Sequence, residues 1–94
     1  WYANNDSIIV AGSAGIYWQD LRGDSPPRQI PINLGNFPYK VRGNAANDIF
    51  VVGDEGMVWH YNGISWKQFS ELQNSSHFFY SIAVRQDKTI IVGL

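Results

Sequence analysis

The sequence predicts an all-β fold built from repeated four-stranded antiparallel units, and two observations support this. The first is an internal repeat: the pattern Gly-x-x-Gly-x-x-Trp occupies residues 12–18 and recurs 41 positions later at residues 53–59. A third copy reaches Gly93, 40 positions after Gly53. The second observation is strand character, because each copy begins with a short β-branched run closed by glycine. Repeats of this length indicate stacked units that share a continuous core.

The middle copy shows the four strands of one unit most clearly. Strands are predicted at residues 39–42, 49–52, 57–61 and 65–69. The second of these is apolar without alternation, which is typical of a strand covered on both faces. The third alternates, so Met57, Trp59 and Tyr61 share one face. Asn62-Gly63 predicts a tight hairpin turn before the fourth strand. Residues 70–77 are predicted to be a loop, and a strand at 80–84 precedes the last copy.

Four short antiparallel strands in about 41 residues match one blade of a β-propeller. The sequence then holds roughly two and a quarter blades. Residues 1–37 form a partial blade of three strands followed by a proline-rich linker, residues 38–77 a complete blade with its linker, and residues 78–94 the first two strands of a third. We therefore expect a segment of a longer protein, or a chain that self-associates, because propellers have about four to eight blades.

Residues 44–66 also resemble the repeats of bacterial extracytoplasmic β-propellers, including sialidase-like and photosystem-assembly-factor-like ones. The shared pattern reads NAANDIFVVGDEGMVWHYNGISW in this chain. The resemblance implies a propeller fold and a secreted or cell-envelope setting in a bacterium. Sialidase-type blades carry an Asp-box, which Asp54, Gly56 and Trp59 match in part, although Val52 stands where that family has Ser or Thr. Asp-boxes are structural in that family, and its catalytic arginines, tyrosine and glutamate do not map onto this chain.

Composition removes several classes of function. The formal net charge is -1 and the seven basic residues are scattered, which argues against nucleic-acid binding. No apolar run approaches the ~18 residues of a membrane span, so membrane insertion is not expected. The chain has no cysteine, which removes disulfides, thiolate chemistry and cysteine-based metal sites. Charged residues are only 16%, a low share that indicates a surface covered by something absent from this chain.

Asp54 and Glu55 are the candidate ligand-binding residues. They lie in the turn between two strands, at the rim where the equivalent turn at Ser13 and Ala14 and the linkers are expected. The functional interpretation is a ligand or cation contact, and the alternative is a structural turn closed by an Asx-type hydrogen bond. Two carboxylates do not complete a calcium site, which takes six to eight oxygens.

The aromatic residues Trp18, Trp59 and Trp66 have two interpretations, as platforms for sugar rings or as packing between blades. Their positions in the repeat favour packing, because an aromatic ring there buries a large area between sheets. His60 is a single imidazole within a strand, and we expect it to be hydrogen-bonded rather than catalytic.

Three short motifs are interpreted as chance matches or as dependent on context. Residues 22–24 spell the integrin-binding tripeptide Arg-Gly-Asp, and three-residue matches arise often by chance. Asn5 and Asn74 begin glycosylation sequons, which matter only in a eukaryotic secreted protein.

These observations predict a non-catalytic binding or scaffold module without a catalytic residue, cofactor or metal. Its partners would be further blades or a second copy, and its ligand a protein or a carbohydrate. One alternative is a sialidase-like or glycosidase-like enzyme whose catalytic residues lie outside this chain. Another is a self-assembling fragment with a structural role only.

Overall fold

The computed structural model describes residues 1–4, 6–12, 15–23 and 25–94, and this part of the chain is all-β as predicted. Ten strands form three antiparallel sheets within these residues, and the strands of each sheet are neighbours in chain order. Three features noted in the sequence lie outside the described residues. They are the turn at Ser13 and Ala14, the Asp24 of the Arg-Gly-Asp tripeptide, and the Asn5 that begins the first sequon.

The three sheets follow one another along the chain. Sheet 1 contains β1 (Tyr2–Asn4), β2 (Ser7–Gly12), β3 (Gly15–Asp20) and β4 (Arg28–Gln29). Sheet 2 contains β5 (Pro38–Ala45), β6 (Asp48–Gly53), β7 (Val58–Tyr61) and β8 (Trp66–Gln68). Sheet 3 contains β9 (Phe79–Arg85) and β10 (Lys88–Gly93).

Two elements differ from the predicted pattern. The linker of residues 1–37 contains a fourth strand, β4, which pairs with Tyr17 and Trp18 of β3. Prolines at 26, 27 and 31 flank β4, and because proline cannot donate to a ladder they restrict this strand to two residues at the edge of the sheet. The predicted loop at residues 70–77 begins with one 3-10 turn at Ser70–Leu72.

Both faces of sheet 2 are covered, as the unbroken apolar run of β6 predicts. Alternate residues of β6 enter two different cores. Ile49 and Val51 belong to the first, here called cluster 1, which lies between sheets 1 and 2 and also contains these residues: Ile9, Ile16, Leu34, Val41 and Met57. Val52 belongs to cluster 2, which lies between sheets 2 and 3 and also contains Val58 and Ile82. Each fully buried aliphatic side chain contributes about 1.5–3 kcal/mol of transfer free energy.

The four tryptophans of the chain share one location. Trp1, Trp18, Trp59 and Trp66 all pack against cluster 1, between sheets 1 and 2. Sheet 3 contains none. Tryptophan fluorescence therefore reports on the contact between the first two sheets. Within the described residues, no helix has the length and apolar character needed to cross a membrane.

Candidate functional site

The turn that carries Asp54 and Glu55 joins β6 to β7, and three residues separate Gly53 from Met57, with which it is bonded. It is closed by a backbone hydrogen bond from Gly53 N to Met57 O of 3.0 Å. Glu55 and Gly56 both adopt positive φ, at 56° and 71°. A left-handed conformation costs a non-glycine residue about 1–2 kcal/mol, so surrounding contacts must hold Glu55 in place. Asp54 supplies one of them, since its Oδ1 accepts the Glu55 amide at 3.1 Å.

Two linkers supply the remaining contacts of this turn. From the linker between sheets 1 and 2, Asn36 Nδ2 donates to Glu55 Oε2 at 2.6 Å. From the linker between sheets 2 and 3, Asn74 N donates to the Glu55 carbonyl at 2.8 Å and Gln73 Nε2 donates to Asn36 Oδ1 at 3.3 Å. The contact of this turn with both linkers is therefore observed, while the Ser13–Ala14 turn that was predicted at the same end lies outside the described residues. Glu55 uses its carboxylate within the chain, and the ligand-binding role of Asp54 and Glu55 stays a prediction.

A polar cluster lies at the opposite end of sheet 2, where β6 begins. His60 Nε2 donates to Asp48 Oδ1 at 2.7 Å, and Asn44 Nδ2 donates to Asp48 Oδ2 at 2.7 Å. These two hydrogen bonds lower the pKa of Asp48 below its ordinary value, and the bond from His60 has the larger effect. The ring of His60 also lies 4.4 Å from that of Phe50 between centroids. The predicted hydrogen-bonded state of His60 is confirmed.

This cluster joins two sheets through backbone atoms of the β9–β10 turn. Asn44 Oδ1 accepts the Gln86 amide at 2.9 Å, while Asn44 Nδ2 donates to the Gln86 carbonyl at 2.7 Å. Gln86 has a φ of 54°, and these two bonds hold it in that conformation. The partners of the Asp48–His60 pair among the described residues are an amide and a phenyl ring, neither of which is a nucleophile. The arrangement accounts for a cross-link between sheets without requiring catalysis.

A cleft lies between sheets 1 and 2, at the same end of the strands as Asp48. It has a volume of ≈ 810 Å³, within the roughly 300–1,000 Å³ of ligand pockets in proteins. Three aromatic side chains line it, namely Trp18 from β3, Tyr61 from β7 and Trp66 from β8. The exposed Ile64 stands at its edge.

The aromatic rings of the cleft are held in place by packing. Tyr61 and Trp66 stack with centroids 5.0 Å apart and planes inclined by 28°. The Tyr61 hydroxyl donates to the carbonyl of Gly63 at 2.9 Å. Asn62 Oδ1 accepts the amides of Ile64 and Ser65, both at 2.9 Å, which fixes the turn that bears Ile64. The cleft thus presents a preformed aromatic wall.

The polar side chains of the cleft come from two short segments. Arg28 belongs to β4, and Asn47 belongs to the β5–β6 turn. The side chain of Gln29 lies on the opposite face of sheet 1, because Gln29 pairs with Tyr17 and not with Trp18. Arg28 and Asn47 surround the aromatic wall, so the cleft combines apolar faces with hydrogen-bonding groups at its edge. A small set of polar groups around an apolar surface is the usual composition of a binding pocket.

The packing of the tryptophans was predictable from the sequence, and the cleft was not. Trp18, Trp59 and Trp66 pack between sheets, as their repeat positions predicted. Trp18 and Trp66 additionally line the cleft, and this depends on the unpredicted strand β4. The Asn62-Gly63 signal correctly placed the turn that positions Ile64.

Among the residues that the structure describes, no group of three or more His, Asp or Glu side chains is arranged to hold a metal ion. No protein-family model matches the chain, and no curated protein or solved structure shows significant similarity to it. A functional proposal therefore rests on the geometry of the chain itself.

Proposed function

We propose that this chain is a non-catalytic β-propeller module that binds a carbohydrate in the aromatic cleft between sheets 1 and 2. The propeller arrangement is supported by the repeat of 41 and 40 residues and by two four-stranded meanders and one hairpin packed face to face in chain order. The resemblance of residues 44–66 to bacterial extracytoplasmic repeats supports a secreted or cell-envelope setting.

The observation that carries the binding role is the combination of Trp18, Tyr61 and Trp66 in one preformed cleft. A sugar ring has apolar C–H faces and hydroxyl edges. Aromatic side chains match such faces with large, rigid area. Arg28 and Asn47 are placed to hydrogen-bond the hydroxyl groups. A ligand of this kind requires no reacting group, so the proposal is consistent with a module that binds without turnover.

The test is a fluorescence titration of the full chain with the neutral oligosaccharides chitotriose, cellotriose and maltotriose. All four tryptophans lie at the sheet 1–sheet 2 contact, so a bound sugar should change their emission in a saturable way. Arg28→Ala should weaken binding about tenfold, equivalent to ~1.4 kcal/mol, because it removes hydrogen bonds to the ligand. The matched control is Arg85→Ala, an exposed arginine of sheet 3, which should leave affinity unchanged.

Two outcomes would contradict this proposal. One is the absence of saturable binding to all three oligosaccharides at millimolar concentration. The other is binding that Arg28→Ala and Arg85→Ala weaken equally, because the ligand would then lie outside the cleft.

A further inference from the structure

The packing of sheet 1 on sheet 2 follows a rule of faces. We call the face of a sheet that points to the next sheet along the chain its downstream face, and the opposite one its upstream face. Ile9 and Ile16 lie on the downstream face of sheet 1, and they pack against Ile49 and Val51 on the upstream face of sheet 2. With the offset of 41, Ile49 corresponds to Ile8 and not to Ile9. The contact therefore joins two different faces of the repeated sheet.

The same rule governs the next contact. Val52 and Val58 lie on the downstream face of sheet 2, and they pack against Ile82 and Ile91 on the upstream face of sheet 3. Ile82 and Ile91 are directly paired across β9 and β10, so they share a face. At both contacts between sheets, the downstream face of one sheet therefore packs on the upstream face of the next.

Two apolar faces of these types are left over, one at each end of the stack. On the downstream face of sheet 3, Ile90 is 64% exposed and Val92 is 57% exposed. They stand 40 positions after Phe50 and Val52 of sheet 2, which pack in cluster 2. On the upstream face of sheet 1, Val10 is 47% exposed.

The exposure of Val10 contrasts with that of its repeat equivalent. Val51 stands 41 positions later, at the same place in its sheet, and it is 0% exposed because sheet 1 covers it. Among the described residues, no sheet covers Val10 in this way. Exposed apolar patches mark sites of association, and Ile90 and Val92 form such a patch on sheet 3. In this chain a downstream face is the type of surface that covers an upstream face.

We propose that a second copy of this chain supplies that cover, with the downstream face of sheet 3 in each copy docked on the upstream face of sheet 1 in the other. One chain carries both halves of the contact, which makes the interface head-to-tail and able to close into a ring. Two copies of three sheets make six, within the range of about four to eight blades in propellers, whereas three copies make nine. The inference rests on the blade arrangement of the proposed function, but not on its ligand.

The experiment is light scattering on a size-exclusion column with the full chain, and the expected result is a dimer. Ile90→Asp on sheet 3 and Val10→Asp on sheet 1 should each raise the dimer dissociation constant by about 100-fold or more, because each would bury an unpaired carboxylate in the interface. Leu72→Asp is the matched control. Leu72 is 42% exposed in the 3-10 turn and lies on neither end face, so the variant should remain a dimer.

Mixing the two interface variants tests the head-to-tail geometry. A Val10→Asp copy keeps an intact sheet 3 face, and an Ile90→Asp copy keeps an intact sheet 1 face. The mixture should therefore recover dimer that neither variant forms alone. Val10→Thr and Val92→Thr repeat the experiment with milder changes, and tryptophan emission verifies that sheets 1 and 2 remain packed in every variant.

A monomeric wild-type chain would overturn the inference, and so would a dimer that Val10→Asp or Ile90→Asp leaves intact. Failure of the mixture to recover dimer would overturn the head-to-tail arrangement. The oligosaccharide titration is a separate readout. A monomer that still binds sugar would reject only the assembly, and a dimer without sugar binding would reject only the ligand.

Discussion

The β2–β3 and β6–β7 hairpins share their glycine and tryptophan positions, yet their second strands face opposite ways. In the first, Gly12 pairs with Gly15, so two residues separate the strands. In the second, Gly53 bonds to Met57, so three residues separate them. Because side chains alternate along a strand, one extra residue moves every side chain of the next strand to the other face.

The tryptophans show the consequence of this shift. Trp18 pairs with Ile9 and lies on the downstream face of sheet 1, whereas Trp59 pairs with Val51 and lies on the upstream face of sheet 2. Both consequently enter cluster 1 from opposite sides. Two residues that are equivalent in the repeat thus meet at one interface, and loop length rather than residue identity determines where a repeated side chain packs.

Deleting Glu55 removes the difference in loop length between the two hairpins, because it shortens the β6–β7 loop to the length of the β2–β3 loop. It is the change with the largest expected effect. We expect β7 to turn over, which would direct Trp59 toward sheet 3 and Val58 toward sheet 1. Loss of both clusters should cost more than about 4 kcal/mol of unfolding free energy, measured by urea denaturation followed by tryptophan emission. The control Glu55→Asn keeps the loop length and a residue that tolerates positive φ, and it should cost under about 1 kcal/mol. Equal effects of the two changes would show that loop length is not decisive.

The glycines that precede the two loops allow a matched pair of substitutions. A Cβ on Gly53 would overlap the carbonyl oxygen of Phe37 and lie 2.9 Å from Pro38 Cα, whereas a Cβ on Gly12 meets no described atom within 4 Å. We expect Gly53→Ala to cost about 3 kcal/mol through overpacking. Gly12→Ala should stabilise the chain by about 0.4–1 kcal/mol, since it restricts the unfolded chain. Urea midpoints of the two variants provide the measurement, and a reversed order would contradict the close approach at Gly53.

The sequence was sufficient to predict what depends on local pattern. The repeat, the four strands of sheet 2 and the double burial of β6 follow from residues near one another, as does the turn at Asn62 and Gly63. The register of the hairpins was not predicted, because it depends on a single residue of loop length. For the same reason the opposite faces of Trp18 and Trp59 could not be assigned before the pairing was known.

The candidate site was less predictable than the fold. The cleft depends on β4, whose two residues are too few to produce a strand pattern. Asp48 and His60 meet because Phe50 pairs with His60, which makes Asp48 a diagonal neighbour on the same face. Asn44 reaches Gln86 across 42 positions of sequence, and local patterns carry no information about such a contact.

The smallest expected effect on stability concerns the Asp48–His60 pair, which distinguishes sheet 2 from sheet 1. Asp48 and His60 correspond to Ser7 and Gln19 one repeat earlier, so sheet 2 has this hydrogen-bonded pair at a position where sheet 1 has no carboxylate and no imidazole. Because its hydrogen bonds lower the pKa of Asp48, the stabilisation is present above the ordinary carboxyl pKa and disappears as the pH falls through the folded value.

Replacing Asp48 with Asn keeps the shape of the side chain and removes its charge. Since the pair is partly exposed, we expect Asp48→Asn to cost about 0.2–1 kcal/mol near pH 6. The difference from wild type should vanish well below the folded pKa of Asp48, where both side chains are neutral. Urea denaturation at several pH values measures it, and Asp87→Asn in the β9–β10 turn is the control for removing an exposed carboxylate. A loss of stability that persists unchanged in acid would show that the geometry of the cross-link to Asn44, and not the charge, is what Asp48 contributes.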